Sequence, residues 1–261
     1  MKILFLGDIV GRPGREALKK VIPLWRDEFE PDLIIANGEN MAHGAGITRN
    51  SLEEVLGAGI DLVTSGDHTW KHKEIAGLLE DKKIPLIRPA NFPPGLPGKG
   101  YRLIEIRTKK VLVINLIGRV FMRQQYDDPF RKADKILKAM SEEADIIIVD
   151  WHAEATAEKV CLGWYLDGRV TAVLGTHTHV PTADERVLPN GTAYISDVGM
   201  VGVRDSSLGR RKEDAIKRYL TQGNIRLEVA EGPVEVDAVL IGTGKNGKAN
   251  KIERIQKIVD L

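Results

Sequence analysis

Short apolar runs alternate along this chain with segments whose apolar residues recur at helical spacing. Arg15–Trp25 is one such segment, because Leu18 and Val21 would share one face of a helix with Trp25. The apolar runs are Lys2–Gly7, Asp32–Asn37, Asp61–Gly66, Asp145–Asp150 and Val170–Gly175. Strand-like runs separated by helices predict a layered α/β protein.

Other segments carry the signals of further helices and of antiparallel strands. Helices are predicted at Ser51–Leu56 and at Lys71–Leu79. Thr48 or Asn50 can cap the first of them. Alternating or adjacent strands are predicted at Tyr101–Ile106, Lys110–Leu116, Asn224–Thr243 and Lys248–Ile258. We therefore expect mixed sheets, parallel in part and antiparallel at the edges.

The charge balance and the cysteine count narrow the classes of protein. Among 261 residues, 38 are Lys or Arg and 37 are Asp or Glu, which gives a net charge of +1. Proteins that bind nucleic acid stably usually carry a basic surplus that neutralises phosphates, so no stable nucleic-acid binding is expected. This balance does not exclude a small phosphorylated substrate. The single cysteine, Cys161, excludes intramolecular disulfides.

Nothing in the sequence indicates a membrane segment or a division into domains. The N-terminal apolar run is too short for a secretion signal, and no apolar stretch approaches the roughly 20 residues of a membrane span. We therefore expect a cytoplasmic protein with no membrane partner. No linker, repeat or low-complexity segment interrupts the chain, so residues 1–261 are expected to form a single domain. The oligomeric state stays open, a homo-oligomer included.

Polar side chains follow the apolar runs, at the point where each predicted strand ends. They are Asp8, Glu39 with Asn40, Asp67 with His68, His152, and His177 with His179. In open α/β sheets, ligands bind at the carboxyl ends of the strands. If these strands are parallel neighbours, the side chains converge on one rim.

Such a rim would crowd three carboxylates with one amide and three or four imidazoles. Carboxylates packed that closely repel each other unless protons or a cation neutralise them. Oxygen and nitrogen ligands without thiolate suit manganese, iron, zinc or nickel. Seven ligands exceed one tetrahedral ion and suit two metals bridged by a carboxylate and a hydroxide. Such a pair acidifies water and clamps the oxygens of a phosphoryl group.

Each cluster taken alone has a plainer interpretation. Asp8 can cap a helix, and Glu39 with Asn40 is ordinary turn chemistry. His177 and His179 are more specific, because on a loop that leaves a strand both can reach a metal pair. Clusters at the ends of five predicted strands together favour the metal interpretation.

In this order, the motifs resemble the signature of the calcineurin-like metallophosphoesterases and, more narrowly, of the bacterial YmdB-type phosphodiesterases. The matching segments are LFLGDIVGRPGR, IIANGENMAHG, TSGDHTWKHKEI, RPANFPPGLPGKG, DDPFRKAD, WHAEATAEK, LGTHTHVPTAD and GTAYISDVGMVG. The resemblance implies an α/β fold, a four-layer α/β/β/α sandwich with two mixed sheets flanked by helices. It also implies hydrolysis of small phosphodiesters, with 2′,3′-cyclic nucleotides as the substrate class, by a metal-bridging hydroxide.

The resemblance further implies two divalent metal ions, for which iron or manganese is expected. The first ion would take Asp8, Glu39, Asn40 and His179, and the second would take Glu39, Asp67, His152 and His177. The superfamily pattern opens Asp-x-His, and this chain lacks that histidine after Asp8. Asn40 can supply the missing ligand. Glu39 stands where the superfamily has its bridging aspartate.

Asp67 departs from the family pattern, whereas the neighbouring His68 matches it. Asp67 stands where the family has asparagine, so the ligand charge changes from −2 to −3. Metal binding should persist, with lower turnover or an altered metal preference, because the extra charge weakens the Lewis acidity of the second metal. His68 resembles a histidine that protonates the leaving ribose oxygen. A histidine that only orients a ligand is the alternative.

Long loops and one misleading motif complete the sequence. Long loops, which are often functional, are predicted at Arg88–Gly100, Arg119–Phe130 and Asp197–Arg211. The segment Gly242–Ala249 nearly spells a phosphate-binding loop, but Ala249 replaces the required Ser or Thr. A hairpin turn is the better interpretation.

Two alternatives to the phosphodiesterase stay open at this point. One is a different reaction on the same site, in a phosphomonoesterase or a nuclease. The other is a metal-binding regulatory protein with little turnover, and Asp67 is the residue that motivates it.

Overall fold

Two six-stranded sheets lie face to face, with helices on their outer surfaces, in the computed structural model, which describes residues 1–261. The strands are β1 (Lys2–Ile9), β2 (Leu33–Asn37), β3 (Leu62–Thr64), β4 (Tyr101–Ile106), β5 (Lys109–Ile117), β6 (Ile146–His152), β7 (Ala172–Thr176), β8 (Arg186–Val187), β9 (Ala193–Ile195), β10 (Met200–Val203), β11 (Val234–Thr243) and β12 (Ala249–Val259). The helices are α1 (Gly11–Phe29), α2 (Arg49–Gly57), α3 (Ile75–Glu80), α4 (Pro129–Met140), α5 (Thr156–Leu166) and α6 (Lys212–Thr221).

Both sheets combine parallel strands with antiparallel ones, which lie at one edge of the first sheet and at both edges of the second. The first has the order β12-β11-β10-β1-β2-β3, and β11 also pairs with β1. Its strands β10, β1, β2 and β3 run parallel, β11 is antiparallel to β10 and β1, and β12 is antiparallel to β11. The second has the order β4-β5-β6-β7-β9-β8, with β4 and β8 antiparallel to their neighbours. The prediction of mixed sheets is confirmed.

Strand alternation explains how four layers pack. In β1, Ile3 and Phe5 point into the apolar layer between the two sheets, and Leu4 and Leu6 point to the opposite side, against helix α1. Helices α1, α2 and α3 cover the outer face of the first sheet. Helices α4 and α5 cover the outer face of the second. The four-layer α/β/β/α sandwich expected from the resemblance is therefore confirmed.

The sequence signals predict the start of α2 correctly but not the start of α3. Thr48, and not Asn50, caps α2, because its side chain accepts from the backbone of Ser51 while the Ser51 hydroxyl pairs with the Thr48 backbone. The helix predicted at Lys71–Leu79 is shorter than expected. A 3₁₀ turn occupies Thr69–Lys71, and α3 begins only at Ile75.

The C-terminal region departs from the sequence prediction in two places. The segment Asp197–Arg211, predicted as a loop, contains β10, which pairs parallel to the end of β1. The strand predicted at Asn224–Thr243 begins only at Val234. The hairpin turn between β11 and β12 is confirmed, since the Gly244 amide donates to the Lys248 carbonyl at 2.8 Å. None of the helices combines the length and the apolar character that crossing a bilayer requires.

Candidate metal centre

The predicted side chains meet where the carboxyl ends of the parallel strands of both sheets lie side by side. The first sheet brings Asp8 in β1, Glu39 and Asn40 after β2, and Asp67 and His68 after β3. The second brings His152 at the end of β6, and His177 and His179 after β7. They converge as predicted, but the rim belongs to two sheets, and Asp8 and His152 lie within their strands.

Glu39, Asp67, His152 and His177 form what we call the inner group. One ligand atom from each lies within 4.8 Å of all the others. The His177 Nδ1–His152 Nε2 distance is 3.0 Å, and His152 Nε2 lies 3.3 Å from Glu39 Oε2. Asp67 Oδ1 lies 3.4 Å from His177 Nδ1. Two atoms bound to one ion at about 2.1 Å, at ordinary coordination angles, are about 3.0–3.4 Å apart. The spacing therefore suits one ion.

Asp8, Asn40 and His179 form a looser set, the outer group. Asp8 Oδ1 lies 3.7 Å from His179 Nε2, and Asn40 Nδ2 lies 3.1 Å from the same nitrogen. Asp8 Oδ1 is buried and has no hydrogen-bond partner. A buried carboxylate oxygen without a partner is costly, and a cation bound there would satisfy it. Rotating the Asn40 amide by half a turn presents its oxygen instead, since its two ends have nearly the same shape.

The carboxylate of Glu39 joins the two groups. Its Oε2 faces His152 of the inner group at 3.3 Å. Its Oε1 accepts from Asn40 Nδ2 of the outer group at 3.0 Å. One oxygen is thus presented to each side, which is the arrangement that a bridging carboxylate needs.

A hydroxyl and a carboxylate orient the His152 ring through its Nδ1 atom, on the side away from the inner group. The Thr176 hydroxyl donates to Asp150 Oδ1 at 2.7 Å, so its oxygen is left to accept from His152 Nδ1 at 2.9 Å. This places the ring proton on Nδ1 and leaves the lone pair of Nε2 facing the inner group. Burial raises the pKa of Asp150 to about 6. Of the two carboxylates that flank His152 in sequence, Asp150 is the one that orients it.

The other two histidines are held in the same way. Glu154 Oε2 lies 3.0 Å from His177 Nε2, and the Leu208 carbonyl oxygen lies 3.2 Å from His179 Nδ1. Each ring therefore has an acceptor at its far nitrogen, and its near nitrogen faces the centre. Histidines that bind metals almost always show this arrangement. The donor set and its outer support thus fit divalent metal ions, although the individual ligands stay a prediction.

The loop that carries His177 and His179 has an unusual backbone. The φ angles are 100° at His177 and 65° at His179, a region that costs a non-glycine residue about 1–3 kcal/mol. A buried ion pair supports it. Lys159 Nζ donates to Asp197 Oδ2 at 2.5 Å and to the carbonyl that precedes His177 at 2.8 Å. Asp197 in turn accepts from the Thr178 amide at 3.0 Å.

Gly66 lets the loop after β3 lie directly on the ligands. A Cβ atom at this position would overlap Glu39 Oε2 and His152 Nε2. Only glycine leaves this space for an ion. The same turn directs the His68 amide to Glu39 Oε2 at 3.1 Å.

The pKa directions of Glu39 and His152 indicate that the inner group favours a positive charge at its centre. Burial opposes the charged forms of Glu39 and His152. The charge of His152 and its hydrogen bond nevertheless hold the pKa of Glu39 well below its usual value. The charge of Glu39 and a hydrogen bond to Asp67 raise the pKa of His152 well above its usual value. Protons and metal cations would therefore compete for the same place in this group.

His68 lies at the mouth of the centre and is half-buried. Its Nδ1 is 3.1 Å from Glu39 Oε1 and 3.0 Å from Asn40 Oδ1. The hydrogen bond with Glu39 raises the pKa of His68. The ring lines an open cleft of about 990 Å³, which also borders the outer group and helix α6.

Sequence reasoning missed the residues that support this centre. Thr176 and Lys159 show no signal of their role, because each acts through a partner distant in sequence. Arg210 and the cleft-facing side of α6 were also missed. Arg119, Arg123 and Arg204, which also belong to the predicted long loops, do not line the cleft, and Arg119 pairs with Asp128. His43 is exposed and does not line the cleft either.

Comparison with known proteins gives consistent results. The model of one family, described as YmdB-like protein, matches residues 4–255. The 2′,3′-cyclic-nucleotide 2′-phosphodiesterase of Bacillus subtilis strain 168 is 49% identical over 98% of this chain and 96% of its own. A protein of Thermus thermophilus has a similar crystal structure, with a TM-score of 0.93, 43% identity and 99% of each chain covered. A phosphatase of Mycoplasma pneumoniae also gives 0.93, with 34% identity, 100% of this chain and 94% of its own.

Proposed function

The chain belongs to the YmdB-like family, and from this premise we propose that it is a metal-dependent phosphodiesterase acting on 2′,3′-cyclic nucleotides. The observation that carries the proposal is the inner group, in which four ligand atoms from two sheets lie within 4.8 Å of one another. The activity for which the Bacillus subtilis relative is named gives the substrate class.

We assign two divalent ions to the site, with iron or manganese as the metals. The inner group would hold one ion, the outer group would hold the other, and Glu39 would serve both. Oxygen and imidazole ligands without thiolate suit these metals. When bound, such ions neutralise phosphate oxygens and make a water molecule more acidic.

The residues of the chain hold the diester and manage the proton. Water adds to phosphorus, the bond to the 2′ or 3′ ribose oxygen breaks, and that oxygen must gain a proton. The product is a nucleoside 2′- or 3′-monophosphate. His68 is the proton donor in this proposal, because it lines the cleft and Glu39 raises its pKa, which favours the protonated ring.

The first experiment measures metal and turnover together. Metal-stripped protein is reconstituted separately with Mn²⁺ and Fe²⁺, bound metal is counted, and hydrolysis of 2′,3′-cyclic AMP is followed. Metal-dependent turnover with about two ions per chain is the expected result. Bound metal without hydrolysis of any phosphodiester would favour the regulatory alternative. Less than about one ion per chain would overturn the site.

A second experiment separates a proton donor from an orienting residue at His68. In His68→Ala, hydrolysis of 2′,3′-cyclic AMP should fall by about 10²–10⁴-fold. Bis(4-nitrophenyl) phosphate should be affected far less, since 4-nitrophenolate leaves without a proton. Equal losses on both substrates, together with lost metal, would indicate that His68 only orients a ligand.

A further inference from the structure

The cleft extends well beyond the candidate metal centre. Its volume is about 990 Å³, near the upper end of the roughly 300–1,000 Å³ typical of small-molecule sites. A cyclic phosphodiester would fill only the part next to the ligands. The rest is bounded by α6 and by the segment 222–227 that follows it.

One side of α6 forms this distant boundary. Ala215, Arg218 and Tyr219 of this helix line the cleft and recur at the spacing of a single helix face, and Gln222 follows directly after the helix. The Tyr219 side chain is 85% exposed, so its ring has little packing of its own. Leu220, on a neighbouring face, is 80% exposed but does not line the cleft.

Arg210 ties this boundary to the metal centre. Its guanidinium donates to the Leu227 carbonyl at 3.2 Å, and to the carbonyls of His43 (3.2 Å) and Gly44. The turn that contains His43 and Gly44 continues from the loop that carries Glu39. These hydrogen bonds hold the segment 222–227 close to the loop that carries Glu39 before any ligand enters. Such preorganisation lowers the entropic cost of binding.

We propose that this face of α6 recognises the nucleobase of the substrate, with Tyr219 as the stacking residue. The inference rests on the proposed function for the phosphodiester end of the ligand. An exposed ring on a cleft wall offers a flat apolar surface to any base. The amides of Gln222 and Asn224 lie at the same wall and can donate to or accept from the edge of a base. A diester without a base would leave this wall empty.

The test compares substrates with and without a base, using the metal-loaded full chain. The substrates are 2′,3′-cyclic AMP and ribose 2′,3′-cyclic phosphate. In Tyr219→Ala, kcat/KM for the nucleotide should fall by about 5- to 100-fold, while kcat/KM for the base-free diester stays unchanged. Tyr219→Phe keeps the ring and should stay close to wild type. Leu220→Ala, which removes an equally exposed neighbour, is the matched control.

A binding measurement separates this inference from the proposed function. Calorimetry with adenosine 3′-monophosphate requires no turnover, and Tyr219→Ala should weaken its binding by a similar factor. If wild-type protein hydrolyses neither substrate but this difference in binding is observed, the phosphodiesterase proposal fails, and base recognition by Tyr219 and its helix is still supported. Equal behaviour of Tyr219→Ala and wild type in both assays would overturn the role of Tyr219 in base recognition. Equal losses on both substrates, or no binding by wild type, would do so as well.

Discussion

The inner and outer groups occupy one edge of the same fold, yet they are built differently. In the inner group, the side chains of Glu39 and His152 are at most 1% exposed, and ligand atoms approach one another at 3.0–3.4 Å. In the outer group, Asp8 leaves a buried oxygen unpaired, and His179 lies 3.7 Å away. The inner ligand atoms are thus already close to one another, whereas the outer half keeps a buried carboxylate oxygen that a bound ion would satisfy.

The two groups also differ in the residues that support their ligands. The inner group is fixed from behind by Thr176 and Asp150, which themselves belong to strands. The outer group depends on Asn40 in a loop, and on the carbonyl of Leu208, an exposed loop residue. We therefore expect the inner position to bind metal first and more tightly. The following predictions test this order.

Removing the residue shared by both groups should have the largest effect. Glu39→Gln replaces one of the two carboxylate oxygens with an amide nitrogen and removes the negative charge that both halves share. Turnover should fall by more than about 10³-fold, and both metal positions should weaken. Metal counting and hydrolysis of 2′,3′-cyclic AMP measure this. Glu53→Gln, on the exposed side of α2, is the control. Loss of a single ion with near-normal binding of the other would contradict a bridging role.

Separate histidine variants should reveal the order of filling. His179→Ala removes an outer ligand and should retain about one ion per chain, with turnover lower by about 10²–10³-fold. His177→Ala should lose the inner ion and bind metal more weakly overall. Metal titration by calorimetry distinguishes the two. The proposed order is wrong if His179→Ala loses both ions while His177→Ala keeps one.

Breaking the support behind His152 should weaken the inner position without removing a ligand. Thr176→Val has nearly the same shape but cannot accept from His152 Nδ1 or donate to Asp150. Inner metal affinity should fall by about 10- to 100-fold. Competition with a chelator gives the affinity, and Thr176→Ser, which retains the hydroxyl, should behave as wild type. Unchanged affinity in Thr176→Val would show that packing alone orients the ring.

Asp67→Asn should have the smallest effect. The substitution replaces the carboxylate at position 67 with the neutral amide of the family pattern, so a metal bound by the inner group becomes a stronger Lewis acid. Turnover should rise by about 2- to 10-fold, or the preference between Mn²⁺ and Fe²⁺ should change, with metal still bound. Steady-state rates with each metal provide the measurement. A variant that is no faster with any metal would count against the role given to Asp67.

The sequence was sufficient to predict the strands that carry the candidate ligands, and the reason is physical. Apolar runs such as Ile3–Gly7 are buried on both faces, and the polar residue after each run marks the edge where the strands end. The position of Asp8, Glu39 and His152 relative to the apolar runs was therefore enough to predict that they lie close together. His177 and His179 lie at the same edge for the same reason, since β7 ends at Thr176.

The supporting residues could not be predicted in this way. Lys159 reads as an ordinary exposed lysine of a helix, yet it is only 2% exposed, because Asp197 neutralises it from another element. Strand β10 is short and is defined by its pairing with β1 and β11. Such features arise from contacts between distant segments, which no local pattern contains.

The split of ligands between two sheets has a consequence for how the protein is made. The carboxylates are all synthesised by residue 67, whereas the histidines that complete both groups lie between residues 152 and 179. A growing chain therefore carries Asp8, Glu39 and Asp67 without their counterparts until most of it has left the ribosome. Strand β1 must also wait for β10 and β11, which end at residue 243. A metal held by both groups would therefore be captured late in biosynthesis, and its retention would report that both sheets have stacked.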